Sequence, residues 1–179
     1  SIVSNPPTLV VPYSQLGSDL TGLRGVSSRL GHAIKADPAD LLAADQGLTD
    51  LRAALGLAEQ PGLGAACGLE LAVRALGGDC VSGFDWIAST CELAETFAVA
   101  DLVVAITDSI DIGNYGGEAI TQAAQMAAAA LVPFIVIAET VGIGARELRT
   151  LGIEAAHALD LQDEQGFARD MLRLIRSWR

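Results

Sequence analysis

Aromatic residues are scarce in this sequence, at 4% of 179 residues against 51% hydrophobic residues overall. A core must therefore be built from Ala, Leu, Val and Ile, with helices packed closely together. Charged residues are also few, at 18%, and this composition excludes a disordered chain. The length is enough for one good core and short for two full domains.

Basic residues are the second shortage, because 11 Lys and Arg stand against 22 Asp and Glu, for a formal net charge of -11. Binding to phosphate backbones requires the opposite sign, and so does binding to anionic membrane surfaces. No apolar run approaches the roughly 20 residues that a membrane span needs. The sequence therefore predicts no nucleic-acid partner and no membrane association.

Cysteine is the third shortage. Cys67, Cys80 and Cys91 are odd in number and form no Cys-x-x-Cys pair, which argues against a zinc site or a disulfide framework. No signal-peptide pattern is present. We expect three small buried thiols in a reducing compartment, the cytoplasm.

The second half of the chain has a regular order of elements. Strands are predicted at Leu102–Ile106, Val132–Ala138 and Ala155–Leu159, and each is followed by a helical segment. Right-handed crossovers turn this order into a parallel sheet with helices on both faces. The predicted fold class is α/β, with a Rossmann-like sheet.

A helix is predicted earlier in the chain. Asp37 followed by Pro38 is a strong start signal, an N-cap and then proline at the first helical position. Leucines then recur on one face, at Leu41, Leu48, Leu51 and Leu55. This spacing predicts a surface helix that packs its leucine stripe on the core.

A polar segment after the strand Leu102–Ile106 is the first candidate site, since open α/β folds hold ligands at the carboxyl edge of the sheet. We interpret it as a loop, in which Asp108 and Asp111 are candidate ligands for Mg²⁺. A loop whose own Glu118 satisfies the helix dipole is the structural alternative. The candidate ligand-binding residues are Asp108, Ser109, Asp111, Gly113, Asn114, Gly116 and Gly117.

A second glycine-rich stretch runs from Pro61 to Gly68 and turns into a helix. Small residues at its start allow a ligand or another backbone to come very close. Gly62 and Gly64 are therefore added to the candidate ligand-binding residues.

Four stretches in order resemble the ATP-dependent, type I glycerate kinases. Pro61-Gly62-Leu63-Gly64-Ala65-Ala66-Cys67-Gly68-Leu69 resembles the family's Pro-Gly-Ala-Gly-Ala-Ala-Gly-Gly-Leu. Gly83-Phe84-Asp85 with Ala100-Asp101-Leu102-Val103 resembles its Gly-Ile-Asp helix and Ala-Asp-Leu-Val strand. Val132-Pro133-Phe134-Ile135-Val136 through Val141-Gly142 resembles its Val-Pro-Val-Ile strand and Ser-Val-Gly turn. Leu20-Thr21-Gly22-Leu23-Arg24-Gly25 resembles its Pro-Leu-x-Gly-x-x-Gly loop.

The resemblance implies a Rossmann-like domain with a second domain inserted in it, and a cleft that binds glycerate and Mg-ATP. The chain corresponds to the C-terminal portion of that family, without its N-terminal half. Residues 1–7 are then an N-terminal arm, 8–60 a remnant of the inserted domain or a loop-helix segment, and 61–179 the Rossmann-like α/β domain. The family's active-site loop is degenerate here, because Glu118 stands at its lysine position.

These observations lead to three functional hypotheses. The first is a glycerate-kinase-like protein that has lost phosphoryl transfer and acts as a binding or interaction module, as a homodimer or with a protein partner. The second is an active glycerate kinase, using Mg and ATP, whose N-terminal half is absent from this chain. The third is a small metal-dependent α/β enzyme that uses Asp108 and Asp111.

Overall fold

The structure, a computed structural model, describes residues 4–178. The chain divides into two compact units, Ser1–Trp86 and Ile87–Arg179. This division does not coincide with the predicted boundary between residues 60 and 61, and the domain assignment stays a prediction. The predicted arm falls partly outside the described residues, since its first three residues are not described.

The first unit is built around a two-stranded parallel sheet, in which Thr8 pairs with Asp79 and Val11 with Ser82. Its small core is formed by Leu20, Leu63, Leu71 and a few neighbours. Its elements follow in the order β1 (Thr8–Val11), α1 (Val26–Ile34), α2 (Pro38–Ala54), α3 (Ala65–Ala75) and β2 (Asp79–Ser82), with a short 3-10 turn at Tyr13–Gln15 after β1.

Helix α2 begins where the sequence predicts. The Asp37 side chain accepts a hydrogen bond of 2.8 Å from the Ala39 amide, and Pro38 occupies the first turn. The prediction that the leucine stripe packs on the core holds only in part. No residue of α2 is fully buried, but Leu41 and Leu48 are partly buried and Leu48 packs against the core of the first unit. Leu51 is 48% exposed and Leu55 41% exposed. The periodicity identifies an apolar face, which the first unit's core covers at Leu48 but leaves about half exposed at Leu51 and Leu55.

The second unit contains a three-stranded sheet in the order β3-β4-β5, with every neighbouring pair parallel. This confirms the predicted α/β class with parallel strands. A short helix α4 (Gly83–Thr90) spans the division between the units. The remaining elements are α5 (Leu93–Ala98), β3 (Val103–Asp111), α6 (Glu118–Ala129), β4 (Phe134–Gly142), α7 (Ala145–Thr150), β5 (Ala155–Ala158) and α8 (Glu164–Ser177).

The core of the second unit lies between the sheet and helices α5, α6 and α7. Phe97 of α5, Ala124 and Ala127 of α6 and Leu148 of α7 belong to one buried cluster with Phe134 of β4. Ala124 and Ala127 are both fully buried. Small side chains thus bring α6 close to the sheet, as the shortage of aromatic residues predicts.

Cysteine burial differs from the sequence-based expectation. Cys67 and Cys91 are exposed and Cys80 is partly buried, so the prediction of three buried thiols is wrong. Cys91 lies in the break between α4 and α5. Glu92 adopts a left-handed conformation, with φ of 52°, between α4 and α5.

Among residues 4–178, no helix combines the length and the apolar character that crossing a membrane requires.

Candidate functional site

The polar segment around Asp108 is part of a strand. Strand β3 continues to Asp111, because β4 keeps pairing with it from Val103 opposite Phe134 to Asp111 opposite Gly142. The expectation that Asp108, Ser109 and Asp111 lie in a loop is therefore wrong. Only six residues, 112–117, connect β3 to α6.

The two candidate metal ligands do not come together. Asp108 and Asp111 are three positions apart in a regularly paired strand, and successive side chains of a strand point to opposite faces. The register instead places Asp108 beside Glu139 of β4, since Thr107 pairs with Ala138 and Ser109 with Thr140. No group of three or more His, Cys, Asp or Glu side chains in the described residues could hold a metal ion.

The loop after β3 is held by its own side chains. The Asp111 Oδ1 atom accepts hydrogen bonds from the amides of Gly113 at 2.6 Å and Asn114 at 3.0 Å. The Asn114 Oδ1 atom accepts one from the Gly116 amide at 2.8 Å, and its Nδ2 group donates to Ser109 Oγ at 3.2 Å. The amides of Gly113, Asn114 and Gly116 are thus already bound within the loop.

The end of this loop requires a left-handed backbone. Tyr115, Gly116 and Gly117 have φ of 49°, 79° and 93° in succession. Gly117 then precedes α6, whose first residue is Glu118. A carboxylate there suits the positive end of the helix dipole and opposes a phosphate. The loop therefore combines occupied amide donors with a local negative charge.

The second glycine stretch serves backbone packing within the first unit. The amides of Gly62 and Gly64 both donate to the carbonyl of Ser18, at 3.1 Å and 3.0 Å. A Cβ atom at Gly64 would overlap the backbone of Asp19, and one at Gly62 would lie 2.7 Å from the Leu16 carbonyl oxygen. These contacts occupy the amides of both glycines, which were candidates for ligand contact.

A polar pocket of about 370 Å³ adjoins this turn. Arg52 contributes a guanidinium that donates to the Leu57 carbonyl at 3.0 Å and lies 3.7 Å from Glu59. The other polar side chains of its lining are Asp19, Thr21 and Gln60. Sequence reasoning missed this pocket. The sequence feature that could have pointed to this pocket is Arg52, the one basic residue of α2, in a helix that is otherwise acidic.

A buried polar cluster lies beneath the same turn. Glu70 is only 2% exposed, and its Oε1 atom accepts a 2.9 Å hydrogen bond from Arg74, which also binds Asp79 at 2.6 Å. The other carboxylate oxygen, Oε2, has no hydrogen-bond partner in the described part of the chain. Burial, with a contribution from Glu70, raises the pKa of Cys80 to about 12. This thiol is protonated at neutral pH and unsuited to act as a nucleophile.

Comparison with known proteins gives the family. The model of the glycerate kinase family matches residues 11–171, which is most of the chain. The chain belongs to the glycerate kinase family. The resemblance carried by the four sequence stretches is thereby confirmed.

Relatives and solved structures place this family member in context. Uncharacterized proteins of Mycobacterium bovis and Mycobacterium tuberculosis are each 34% identical over 107 residues, which is 60% of this chain and 28% of the relative. The crystal structure of a provisionally named glycerate kinase 2 from Salmonella typhimurium LT2 superposes with a TM-score of 0.66 and 22% identity. The superposition covers 90% of this chain and 46% of that protein. The fold is shared, and the chain spans less than half the length of these proteins.

Measured against the family loop, this glycerate kinase family member has an inverted charge. The sequence resemblance places Glu118 at the family's lysine position, and this charge reversal stays a prediction. The chain has a single lysine, Lys35, which lies at the end of α1 in the other unit. No lysine in the sequence can therefore replace it from within the second unit.

Proposed function

We propose that this chain is a glycerate-kinase-family module that has lost phosphoryl transfer and acts in binding or interaction. The observation that carries the proposal is the pair of hydrogen bonds from Gly113 and Asn114 to the Asp111 carboxylate. Phosphoryl transfer depends on positioning and on positive charge around the transferred group. A loop whose amides already bind a carboxylate offers a phosphate few donors.

Charge supports the same proposal. Glu118 at the start of α6 adds repulsion where a transferring phosphate would need stabilisation. The chain has a formal net charge of -11, so the long-range field also disfavours a nucleotide. Mg and ATP would be cofactors only if the loop were rearranged or completed by residues outside this chain.

Calorimetric titration with Mg-ATP, with and without glycerate, tests the proposal. We expect no binding heat and no ADP release from the folded chain. An Asp111→Ala variant is the matched control, because it removes the carboxylate that accepts hydrogen bonds from the amides of Gly113 and Asn114, while Glu118 remains. ADP release by the unmodified chain would refute the proposal and favour the active kinase of the second hypothesis.

A small carboxylate is a second candidate ligand, favoured by the guanidinium of Arg52 in the polar pocket. Arginine recognises carboxylates through paired hydrogen bonds. The Arg52 side chain is only 18% exposed and donates to the Leu57 carbonyl, so a bound carboxylate would take the place of the Glu59 side chain, which lies 3.7 Å away and is 78% exposed. We expect glycerate alone to bind the chain with a measurable heat of binding. The Arg52→Gln variant should abolish that heat of binding. Arg146→Gln, at an exposed position of α7, is the control and should leave it unchanged.

A further inference from the structure

A second pocket of the first unit lies between α1 and the first turns of α2. Its volume is about 370 Å³, and its lining consists of Leu23, Ser28, Arg29, His32 and Leu41. Two of these five side chains are basic and none is acidic, in a chain with twice as many Asp and Glu as Lys and Arg. This α1 pocket shares no lining residue with the polar pocket that contains Arg52.

The sequence around the α1 pocket has a charge opposite to that of the whole chain. Residues 20–36 contain no Asp or Glu, and they contain four side chains that can carry positive charge: Arg24, Arg29, His32 and Lys35. Helix α1 begins after Gly25 without a side-chain cap and without an acidic residue in its first turn, so no carboxylate offsets the positive end of its dipole there. Asp45 of α2 approaches this segment, but its carboxylate accepts a 3.0 Å hydrogen bond from the Gly22 amide and does not line the pocket.

Arg29 is held in position and retains donors for a ligand. Its Nη2 atom donates to the Gly64 carbonyl at 3.2 Å, and the Gly64 amide is in turn bound by the Ser18 carbonyl. A guanidinium has five N–H donors. Within residues 4–178, no carboxylate forms an ion pair with Arg29, whereas Arg24 is paired with Asp19. Arg29 is therefore an anchored guanidinium without an acidic partner, and such a group binds oxyanions through paired hydrogen bonds.

The remaining side chains of the α1 pocket offer apolar contact and no further donor. A Cβ atom at Gly31 would overlap the Leu41 side chain, so the absence of one lets Leu41 pack directly on α1. Leu23, in the loop before α1, is 96% exposed and adds a second apolar side chain. The Ser28 hydroxyl donates to the Gly22 carbonyl at 2.9 Å, so its proton is already used within the loop. Recognition of an anion is thus left to Arg29 and His32.

We propose that the α1 pocket binds a small organic oxyanion, a carboxylate or a phosphate ester, that carries one apolar group. Arg29 and His32 bind the oxyanion, and Leu23 and Leu41 contact the apolar group. The volume of the pocket suits a small ligand of this kind. This site is separate from the loop after β3 and from the pocket of Arg52, so it does not depend on whether the chain binds a nucleotide or glycerate.

Proton NMR of the imidazole groups tests the proposal at constant pH, because the chain has two histidines. His32 lines the pocket, while His157 lies in β5 of the second unit and reports non-specific effects. The His32→Gln variant assigns the two signals. Benzoate and phenyl phosphate are the anionic probes, and benzyl alcohol is their uncharged counterpart. We expect at least one anion to shift the His32 signal saturably, with a dissociation constant on the order of 1 mM. The stronger of the two probes identifies a carboxylate or a phosphate ester as the preferred group.

Variants of the pocket locate the binding. Arg29→Gln should weaken binding about tenfold or more, because the paired hydrogen bonds to the oxyanion are lost. Arg24→Gln is the matched control, since Arg24 lies in the same segment but is paired with Asp19 and does not line the pocket. Leu23→Ser, at an almost fully exposed position, should weaken binding about threefold without affecting folding. Circular dichroism checks each fold, and Leu23→Ser decides the question if Arg29→Gln is unfolded.

The Arg52→Gln variant separates this site from the second candidate ligand site. It should leave the His32 titration unchanged, because Arg52 does not line the α1 pocket. The proposal would be overturned by a His32 signal that does not shift saturably, an equal shift with benzyl alcohol, or a parallel shift of His157. Binding to a folded Arg29→Gln variant as tight as to Arg24→Gln would overturn it as well.

Discussion

The two glycine-rich turns of this protein are held in place by different kinds of contact. In the first unit, Gly62 and Gly64 bring the chain against the backbone of residues 16–20, more than 40 positions earlier. In the second unit, the loop after β3 is closed by two of its own side chains, Asp111 and Asn114. One turn is fixed by distant backbone and the other by local side chains.

The difference shows that a glycine-rich turn is not by itself a ligand cradle. Backbone amides attract a phosphate only when they have no other acceptor. Ser18 takes the amides of Gly62 and Gly64, and Asp111 takes those of Gly113 and Asn114. Both turns are glycine-rich, and both have bound amides in this chain.

Gly64→Ala should produce the largest effect, because the new Cβ would overlap the backbone of Asp19 and Leu20. Backbone cannot move aside as a flexible side chain can, so we expect a loss of roughly 2–4 kcal/mol in the free energy of unfolding. Urea titration measures it. Gly47→Ala in α2 is the control, since nothing lies within 4 Å of its Cβ position, and it should gain up to about 1 kcal/mol. Equal losses in both variants would refute the packing role of Gly64.

Asp111→Ala should have the next largest effect. Removal of the carboxylate leaves the amides of Gly113 and Asn114 without their acceptor, at a cost of about 1–2 kcal/mol measured by thermal unfolding. Asp111→Asn keeps an acceptor oxygen and should lose less. If Asp111→Ala were as stable as the unmodified chain, the loop would not depend on local capping, and the contrast between the two turns would fail.

The sequence predicts local features of this fold well. Helix α2 starts at the predicted cap, because capping signals act over a few residues. The family resemblance also rests on short stretches that survive in order. These features require no knowledge of distant contacts.

The wrong predictions depend on partners far along the chain. Strand β3 runs through Asp108 and Ser109 because β4 supplies pairing that overrides the low strand propensity of polar residues. The leucine stripe of α2 is real, but its spacing does not specify what covers it. The roles of Gly62 and Gly64 depend on a segment 40 positions away, which spacing alone does not reveal.

Asp108→Asn should have a small effect in the stabilising direction. Asp108 stands beside Glu139 on neighbouring strands, and like charges in that arrangement destabilise a sheet. We expect a gain of about 0.5 kcal/mol at low salt, which decreases as salt is raised. Asp101→Asn, at an exposed position ahead of β3, is the control and should change little. A rise in melting temperature of the unmodified chain with Mg²⁺, lost in Asp108→Asn, would instead favour the metal-dependent enzyme of the third hypothesis.

The ionisation of Cys80 should have the smallest effect on folding stability, and this effect should be confined to alkaline pH. Burial raises the pKa of this thiol in the folded chain from 9.0 to about 12, so the folded state keeps a proton that the unfolded state loses. Stability is therefore unaffected below pH 9 and falls progressively between pH 9 and about 12. Cys80→Ser should remove that part of the decline.

Alkylation gives an independent measure of the same thiol. Iodoacetamide at pH 8 should modify the exposed Cys67 and Cys91 and spare Cys80, which mass spectrometry resolves site by site. Equal modification of all three would show that the thiol above Glu70 is accessible and ionised. The buried cluster beneath the Pro61–Gly68 turn would then open in solution, and this turn would not be fixed by its distant backbone contacts.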